Sequence, residues 1–279
     1  MLIKRALSGF LLAVFVLTII LLSHCALFSF LMPLAIMFIA VMGLLEFFDL
    51  MEKKGAKTLK AFGVISSVIY IWYVYISSCN GFEMNMDTFA LFYIFAGFFL
   101  VYFLERYNKD ENSALLDISV SFMGFFYIVW LLSFILKINY FPGVDGRKYL
   151  LLLIVATKSA DTFAYFSGKS LGKTKLCPRI SPNKTVEGAL GGFAGSVIMS
   201  VIFKHFFMPD LSIKHTILLG IVIGIIGQLG DLAESLLKRD AEVKDSSTRF
   251  PGLGGILDVL DSIFFTAPVT YFFMKEIIF

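Results

Sequence analysis

Nine long apolar segments divide this chain, and each is long enough to cross a lipid bilayer as a helix. A helix needs about 17–25 predominantly apolar residues to span the hydrocarbon core. Hydrophobic residues make up 58% of the chain and charged residues 16%, whereas soluble domains hold about 45–50% and about 25%. The sequence therefore predicts an all-α, polytopic integral membrane protein. The predicted spans are residues 6–23, 28–49, 58–77, 87–104, 113–136, 147–168, 185–207, 214–236 and 255–275.

The N-terminus begins with basic residues followed by an apolar run, as a secretory signal peptide would. The run Ala6–Leu22 is 17 residues long, longer than the usual signal core of about 7–15 residues. No small-x-small cleavage site follows it. We therefore expect the first span to be retained.

The distribution of Lys and Arg orients the predicted bundle. With a cytoplasmic N-terminus, 17 of the 24 Lys and Arg fall in inner segments and six in outer ones. Since cytoplasmic loops carry an excess of Lys and Arg, this count places the N-terminus on the cytoplasmic side. We expect the protein to lie in the inner (cytoplasmic) membrane. Two inner loops, 169–184 and 237–254, are long and basic, which also suits simple attraction to anionic lipids.

Several function classes find no support in the sequence. Cys25, Cys79 and Cys177 lack metal-binding spacing and are predicted to be unpaired thiols, with a Cys25–Cys79 bridge left open. There is no GxxxxGK[ST] phosphate loop and no pattern that predicts a nucleic-acid partner. The three His lie on the predicted outer side of the membrane, far from the acids, which argues against a His-dependent hydrolase.

Polar residues within the spans are concentrated in the last four. This asymmetry predicts an N-terminal membrane scaffold over 1–145 and a C-terminal catalytic membrane domain over 146–279. Acids in the hydrocarbon core are costly, so an intramembrane carboxylate is a candidate functional residue. Four of them fall at the predicted cytoplasmic ends of their spans: Asp161, Asp231, Asp258 and Asp261.

Four carboxylates at one depth repel one another unless a cation lies among them. Mg²⁺ takes oxygen ligands and commonly bridges protein carboxylates to phosphate, so a metal site is the more specific interpretation. Two alternatives are open. Lys158 lies three residues before Asp161 and could neutralise it, and Asp258 could instead stabilise a helix N-terminus.

The start of the seventh predicted span, SPNKTVEGALGGFAGS, combines a cation with closely spaced glycines. Lys184 stands next to a predicted helix N-terminus, where backbone N–H groups and a cationic side chain together suit phosphate. The glycines at 188, 191, 192 and 195 are typical of close helix packing in membranes.

Three stretches together resemble the phosphatidate cytidylyltransferase (CDP-diacylglycerol synthase) family. They are DTFAYFSGKSLGKTKLCPRISPNKTVEG, SLLKRDAEVKDSS and PGLGGILDVLDS, and the similarity covers about residues 155–270. Leu253 and Val259 differ from the family pattern, which has His and Arg at these positions.

The resemblance implies a Mg²⁺-dependent reaction of CTP with phosphatidic acid, giving CDP-diacylglycerol and pyrophosphate, by a homodimer whose active site faces the cytoplasm. A second cation is left open. The implied metal ligands are Asp161, Asp231, Asp258 and Asp261, and the last three form the implied catalytic set with Lys184. The implied substrate-binding residues are Asp161, Tyr165, Lys175, Arg179, Ser181, Glu187, Ser235, Lys238, Arg239 and Lys244.

Two other functions are compatible with the same residues. A CTP-dependent lipid kinase, or a cytidylyltransferase for another lipid phosphate, would need a similar site. An ion-coupled transporter also carries intramembrane acids, but transporters often show internal repeats, which the two halves of this chain lack.

Overall fold

A computed structural model describes residues 13–80, 85–106, 114–243, 246–247 and 255–279. Within these residues, eight helical segments are long and apolar enough to cross a membrane, which confirms a polytopic, helical membrane protein. The first predicted span, 6–23, lies partly outside the described residues, and its described part is the short apolar helix α1, Ala13–Leu22. The other helices are α2 Leu31–Lys53, α3 Lys60–Asn80, α4 Asn85–Arg106, α5 Ala114–Gly124, α6 Leu131–Asn139, α7 Gly146–Leu171, α8 Val186–Phe207, α9 Ile213–Asp240 and α10 Ile256–Phe273.

Two segments of wider, π-helical geometry complete the helical structure. The first, Phe125–Trp130, joins α5 to α6, so that residues 114–139 form one continuous span. The second, Met274–Ile278, follows α10.

A small β-hairpin follows α7, almost entirely within the segment 169–184 that the sequence predicts as an inner loop. Its strands, β1 Lys175–Cys177 and β2 Ser181–Thr185, pair antiparallel with Lys175 opposite Thr185 and Cys177 opposite Ser181. The register shifts between these two pairs, which marks a bulge. Strands this short carry too few residues for a period-two pattern to be visible.

The chain forms two compact units. The first comprises residues 1–142 and 241–259, and the second comprises residues 143–240 and 260–279. The boundary after Val259 falls within α10, so the first turn of this helix belongs to one unit and the remainder to the other. The division into scaffold and catalytic halves stays a prediction, since it concerns function.

The first unit is held together by aromatic packing and by a buried ion pair. Gly63 and Gly124 leave room for the rings of Phe48 and Phe47, because an added Cβ would lie 2.9 Å and 2.7 Å from ring carbons. Asp117 is fully buried, and its Oδ2 lies 2.7 Å from Nη1 of Arg106.

The same carboxylate also fixes the connection between α2 and α3. The backbone N–H of Lys57 donates to Asp117 Oδ1 at 2.7 Å, and the guanidinium of Arg106 donates to the carbonyl oxygen of Lys57 at 3.3 Å. A buried carboxylate is stable only when its oxygens are paired in this way.

One helix of the first unit, α4, presents much of its apolar surface outward. Its side chains Tyr93 and Leu104 are each 70% exposed, and Phe89 and Phe92 are each 61% exposed. In a chain that spans a membrane, lipid covers such surfaces at no hydrophobic cost.

Small residues bring the helices of the second unit into close contact. A Cβ added to Gly192 of α8 would lie 2.8 Å from the carbonyl oxygen of Ala160 and 2.9 Å from the Cβ of Ala164, both on α7. One turn further along α8, the hydroxyl of Ser196 donates to the carbonyl oxygen of Gly220 on α9 at 2.9 Å. The packing role predicted for these glycines is therefore confirmed.

All three cysteines lie in the described residues, and all are free thiols. This confirms the prediction of unpaired thiols and leaves no Cys25–Cys79 bridge. Cys25 and Cys79 are exposed, and Cys177 in the hairpin is partly exposed.

Gly192→Ala is expected to destabilise the protein by about 1–3 kcal/mol, because the carbonyl oxygen of Ala160 and the Cβ of Ala164 cannot move away from the new methyl group without displacing α7. Gly227→Ala is the matched control, since its Cβ would lie 3.5 Å from the nearest atom, in Thr266, which is an ordinary contact. The measurement is thermal unfolding of purified protein in detergent. Equal melting temperatures for the two variants would contradict the packing argument.

Candidate functional site

An acid–base cluster lies in the second unit, built from α7, β2, α9 and α10. On α7, Lys158 and Asp161 are one turn apart, and Nζ of the lysine lies 3.5 Å from Oδ2 of the aspartate. On α9, Asp231 Oδ2 lies 2.6 Å from Nζ of Lys184, which projects from β2. The Lys158–Asp161 pair considered as an alternative is thus present, and a second, closer pair accompanies it.

Asp261 of α10 joins this cluster because α9 has a glycine where the two helices meet. A Cβ at Gly230 would lie 2.7 Å from the carbonyl oxygen of Asp261, so a larger residue would separate the helices. The carboxylates of Asp161, Asp231 and Asp261 and the ammonium of Lys158 lie within electrostatic range of one another. The structure therefore brings together three of the four acids that the sequence singled out, with two lysines among them.

The C-terminal turns of α9 carry three further predicted residues. The hydroxyl of Ser235 donates to Asp231 Oδ1 at 3.4 Å. Nζ of Lys238 lies 2.6 Å from Oε2 of the buried Glu234. Arg239 Nε donates to the carbonyl oxygen of Ile180 at 3.1 Å, which ties the hairpin to α9.

The junction between the hairpin and α8 positions Lys184. Thr185 is the N-cap of α8, and its hydroxyl oxygen accepts the backbone N–H of Gly188 at 3.1 Å. Thr185 also packs against α7, since a Cβ at Gly168 would lie 3.1 Å from its hydroxyl oxygen. Lys184 is thereby held one residue before a helix N-terminus, as predicted, although it belongs to a strand.

Glu187 is engaged within the protein. Its Oε2 accepts the backbone N–H of Lys173 at 3.0 Å, and its Oε1 accepts that of Thr174 at 3.2 Å. These bonds join the first turn of α8 to the segment that leads into β1. A substrate-binding role for Glu187 stays a prediction.

The remaining predicted substrate-binding residues are mostly solvent- or lipid-accessible. Lys175 and Arg179 are exposed on the hairpin, Ser181 is partly exposed, and Tyr165 on α7 is 63% exposed. Lys244 lies outside the described residues. Their roles stay predictions.

Asp258 lies in the first unit, where its carboxylate accepts hydrogen bonds at the N-terminus of α10. Its Oδ2 accepts three hydrogen bonds: from the backbone N–H of Gly255 at 3.0 Å, and from the backbone N–H and hydroxyl of Ser246 at 3.1 Å and 2.8 Å. The alternative of a helix-terminal role is therefore present in the structure, and the metal-binding role of Asp258 stays a prediction.

Two residues near Asp258 were missed by the sequence-based reasoning. Ser246 lies in the predicted inner loop 237–254, and Glu46 lies in the second predicted span, 28–49. Glu46 is 1% exposed, and its Oε2 accepts the backbone N–H of Leu257 at 3.2 Å. An acid inside the apolar run GLLEFF is the signal in the sequence that points to it.

The donor chemistry of the second-unit cluster suits a hard cation, because every candidate ligand is a carboxylate oxygen. Among the described residues, however, no three side chains of His, Cys, Asp or Glu are arranged around a common point that could hold an ion. A magnesium ion bound at this cluster is therefore a proposal.

Comparison with known proteins identifies the family of this chain. The model of the cytidylyltransferase family matches residues 3–277, nearly the whole length. The chain belongs to the cytidylyltransferase family. This membership confirms the resemblance drawn from the three C-terminal stretches and extends it over the first five spans.

Several relatives carry the same enzyme name. The phosphatidate cytidylyltransferase of Bacillus subtilis (strain 168) is 32% identical over 277 residues, covering 97% of each chain. That of Synechocystis is 33% identical over 267 residues, covering 86% of this chain and 87% of the relative. A further relative without an enzyme name, the uncharacterized protein YnbB of Escherichia coli (strain K12), is 37% identical over 192 residues, covering 68% of this chain and 64% of that protein. The predicted class, an enzyme of the phosphatidate cytidylyltransferase type, is confirmed.

Glu187→Gln is expected to loosen the hairpin, because a neutral amide accepts the N–H groups of Lys173 and Thr174 more weakly than a carboxylate does. Limited trypsin digestion should cleave within residues 173–179 several-fold faster in this variant. Glu276→Gln, an exposed glutamate near the C-terminus, is the matched control. Unchanged cleavage would show that Glu187 does not anchor the hairpin.

Proposed function

We propose that this cytidylyltransferase makes CDP-diacylglycerol and pyrophosphate from CTP and phosphatidate, at the acid–base cluster of Lys158, Asp161, Lys184, Asp231 and Asp261. The observation that supports it is the convergence of three carboxylates and two lysines from α7, β2, α9 and α10, in a chain of this family. The proposal includes a homodimer, because the family that the sequence resembles is dimeric.

The reaction joins two anions. An oxygen of the phosphatidate phosphate attacks the α-phosphorus of CTP, a new P–O bond forms, and the bond to the β-phosphate breaks with its electron pair leaving on pyrophosphate. Since both reactants are negatively charged, the site must supply positive charge to bring them together and to stabilise the leaving group. Bound Mg²⁺ would supply such charge as a Lewis acid.

Asp161, Asp231 and Asp261 are the proposed metal ligands, and Asp258 is proposed as a fourth on sequence grounds alone. The pairing of Asp231 with Lys184 gives this lysine a defined place beside the proposed metal site. In that place, its ammonium group can pair with phosphate oxygens of CTP. Lys175, Arg179, Lys238 and Arg239 are proposed to contact the remaining phosphate oxygens.

Asp231→Asn and Asp261→Asn are expected to lower kcat/KM by about 100-fold or more, because each change removes an anionic ligand from the reacting centre. The assay uses CTP labelled at the α-phosphate with phosphatidate vesicles, and follows CDP-diacylglycerol and pyrophosphate. Asp210→Asn, at an exposed position between α8 and α9, is the matched control.

The products of the same assay separate this function from its rival. Transfer of a cytidylyl group releases pyrophosphate, whereas a CTP-dependent lipid kinase would release CDP. Full activity of both aspartate variants across a Mg²⁺ titration would overturn the proposed site.

The proposal places the cluster and the hairpin on the cytoplasmic face of the membrane. Three native cysteines provide the test, because the predicted topology places Cys177 inside and Cys25 and Cys79 outside. A membrane-impermeant maleimide is expected to label Cys177 in inside-out vesicles and Cys25 and Cys79 in right-side-out vesicles. Variants retaining one cysteine each identify the labelled site, and the reverse pattern would invert the orientation.

A further inference from the structure

We infer that Glu46, a buried glutamate of α2 in the predicted scaffold, is a positioning residue for Asp258. Its contact partner is the first turn of α10, 211 positions away in the sequence. This inference rests on the proposed function, since Asp258 is one of the proposed metal ligands.

Burying the carboxylate of Glu46 costs free energy, so its position depends on specific partners. Its side chain lies within an apolar helix and is 1% exposed. Burying a carboxylate without partners costs several kcal/mol, so its surroundings must compensate. Compensation comes from the N-terminus of α10, where the backbone N–H of Leu257 donates to Oε2 at 3.2 Å. Helix N-termini favour negative charge, which adds to the hydrogen bond.

Close backbone approach makes this contact possible. Gly43 lies one turn before Glu46 on α2, and a Cβ there would make ordinary contacts with the side chains of Ile256 at 3.5 Å and Leu257 at 3.7 Å. Gly255 faces Glu46 from the other side, since its Cβ would lie 2.8 Å from Glu46 Oε2. Gly255 thus allows the carboxylate of Glu46 to approach the start of α10 closely.

The same turn holds the carboxylate of Asp258. Gly255 N–H donates to Asp258 Oδ2, and the added Cβ at Gly255 would also collide with the hydroxyl of Ser246, the other donor to Asp258. Glu46, Gly255, Ser246 and Asp258 therefore form one connected group. The backbone N–H groups of this turn donate to two different carboxylates. The N–H of Leu257 donates to Glu46, and the N–H of Gly255 donates to Asp258.

This arrangement explains how a scaffold helix can affect catalysis without touching substrate. A displacement of about 1 Å in a reacting group can cost about 100-fold in rate. If the first turn of α10 loses its bond to Glu46, the backbone that carries Asp258 is no longer fixed. The effect should then fall on kcat, since Glu46 itself binds neither CTP nor lipid.

The test compares Glu46→Leu, which removes the acceptor at similar size, with Glu46→Gln, which keeps an acceptor oxygen for Leu257. We expect Glu46→Leu to lower kcat by about tenfold or more, with the KM for CTP changed by less than about threefold. Glu46→Gln should restore kcat to within about threefold of the wild type. Hydrogen exchange of peptides covering 255–262 should be faster in Glu46→Leu than in Glu46→Gln.

Asp117→Asn is the matched control, because Asp117 is also a fully buried carboxylate that accepts a backbone N–H in the first unit. It should lower the melting temperature while leaving kcat and the exchange of residues 255–262 near wild-type values. A loss of kcat in Asp117→Asn equal to that in Glu46→Leu would mean that general destabilisation explains both, and would overturn the inference.

The remaining outcomes separate this inference from the proposed function. Unchanged exchange at 255–262 in Glu46→Leu overturns the inference, and so does faster exchange with normal kcat. If the wild type produces no CDP-diacylglycerol, the proposed function fails and with it the positioning role, while exchange still decides whether Glu46 anchors the turn.

Discussion

The absence of water from a bilayer core is the constraint on which the rest of this structure depends. A carboxylate within an apolar span must find its partners within the protein, and three of the described acids show different ways of doing so. Asp117 pairs with a guanidinium and a backbone N–H, Asp231 pairs with the ammonium of Lys184, and Asp258 accepts three donors at a helix N-terminus. Each of these pairings fixes a different element: the connection between α2 and α3, the hairpin, and the start of α10.

Glycine provides the second half of the same solution, because partners can reach a buried carboxylate only where backbones come close together. Gly230 admits the backbone of Asp261 against α9, and Gly255 makes room for Glu46 and Ser246 at the start of α10. Gly192 plays the corresponding part between α7 and α8. Packing and chemistry therefore depend on the same positions, and substitutions at these glycines should affect acids that they do not touch.

The sequence predicts the helical architecture and singles out all five residues of the second-unit cluster, because both follow from strong local signals. Apolar length defines a span, and an acid within it stands out. The hairpin was missed because three- and five-residue strands carry no readable alternation. The pairing of Lys184 with Asp231 and the contact of Glu46 with Leu257 were missed for another reason. They join residues 47 and 211 positions apart, and a single sequence contains no information on which distant backbones glycine will bring together.

Charge balance in the second-unit cluster bears on the order of events in the proposed reaction. When ionised, three carboxylates and two ammonium groups leave one net negative charge, which by itself would repel CTP and phosphatidate. Lys184 is a compact charge on a flexible stem, so it can exchange a carboxylate partner for a phosphate partner without moving β2 or α8. Such an exchange would free Asp231 to act as a ligand at the moment when a cation-bound nucleotide arrives. Nucleotide and metal should therefore bind cooperatively, each favouring the other through this one lysine.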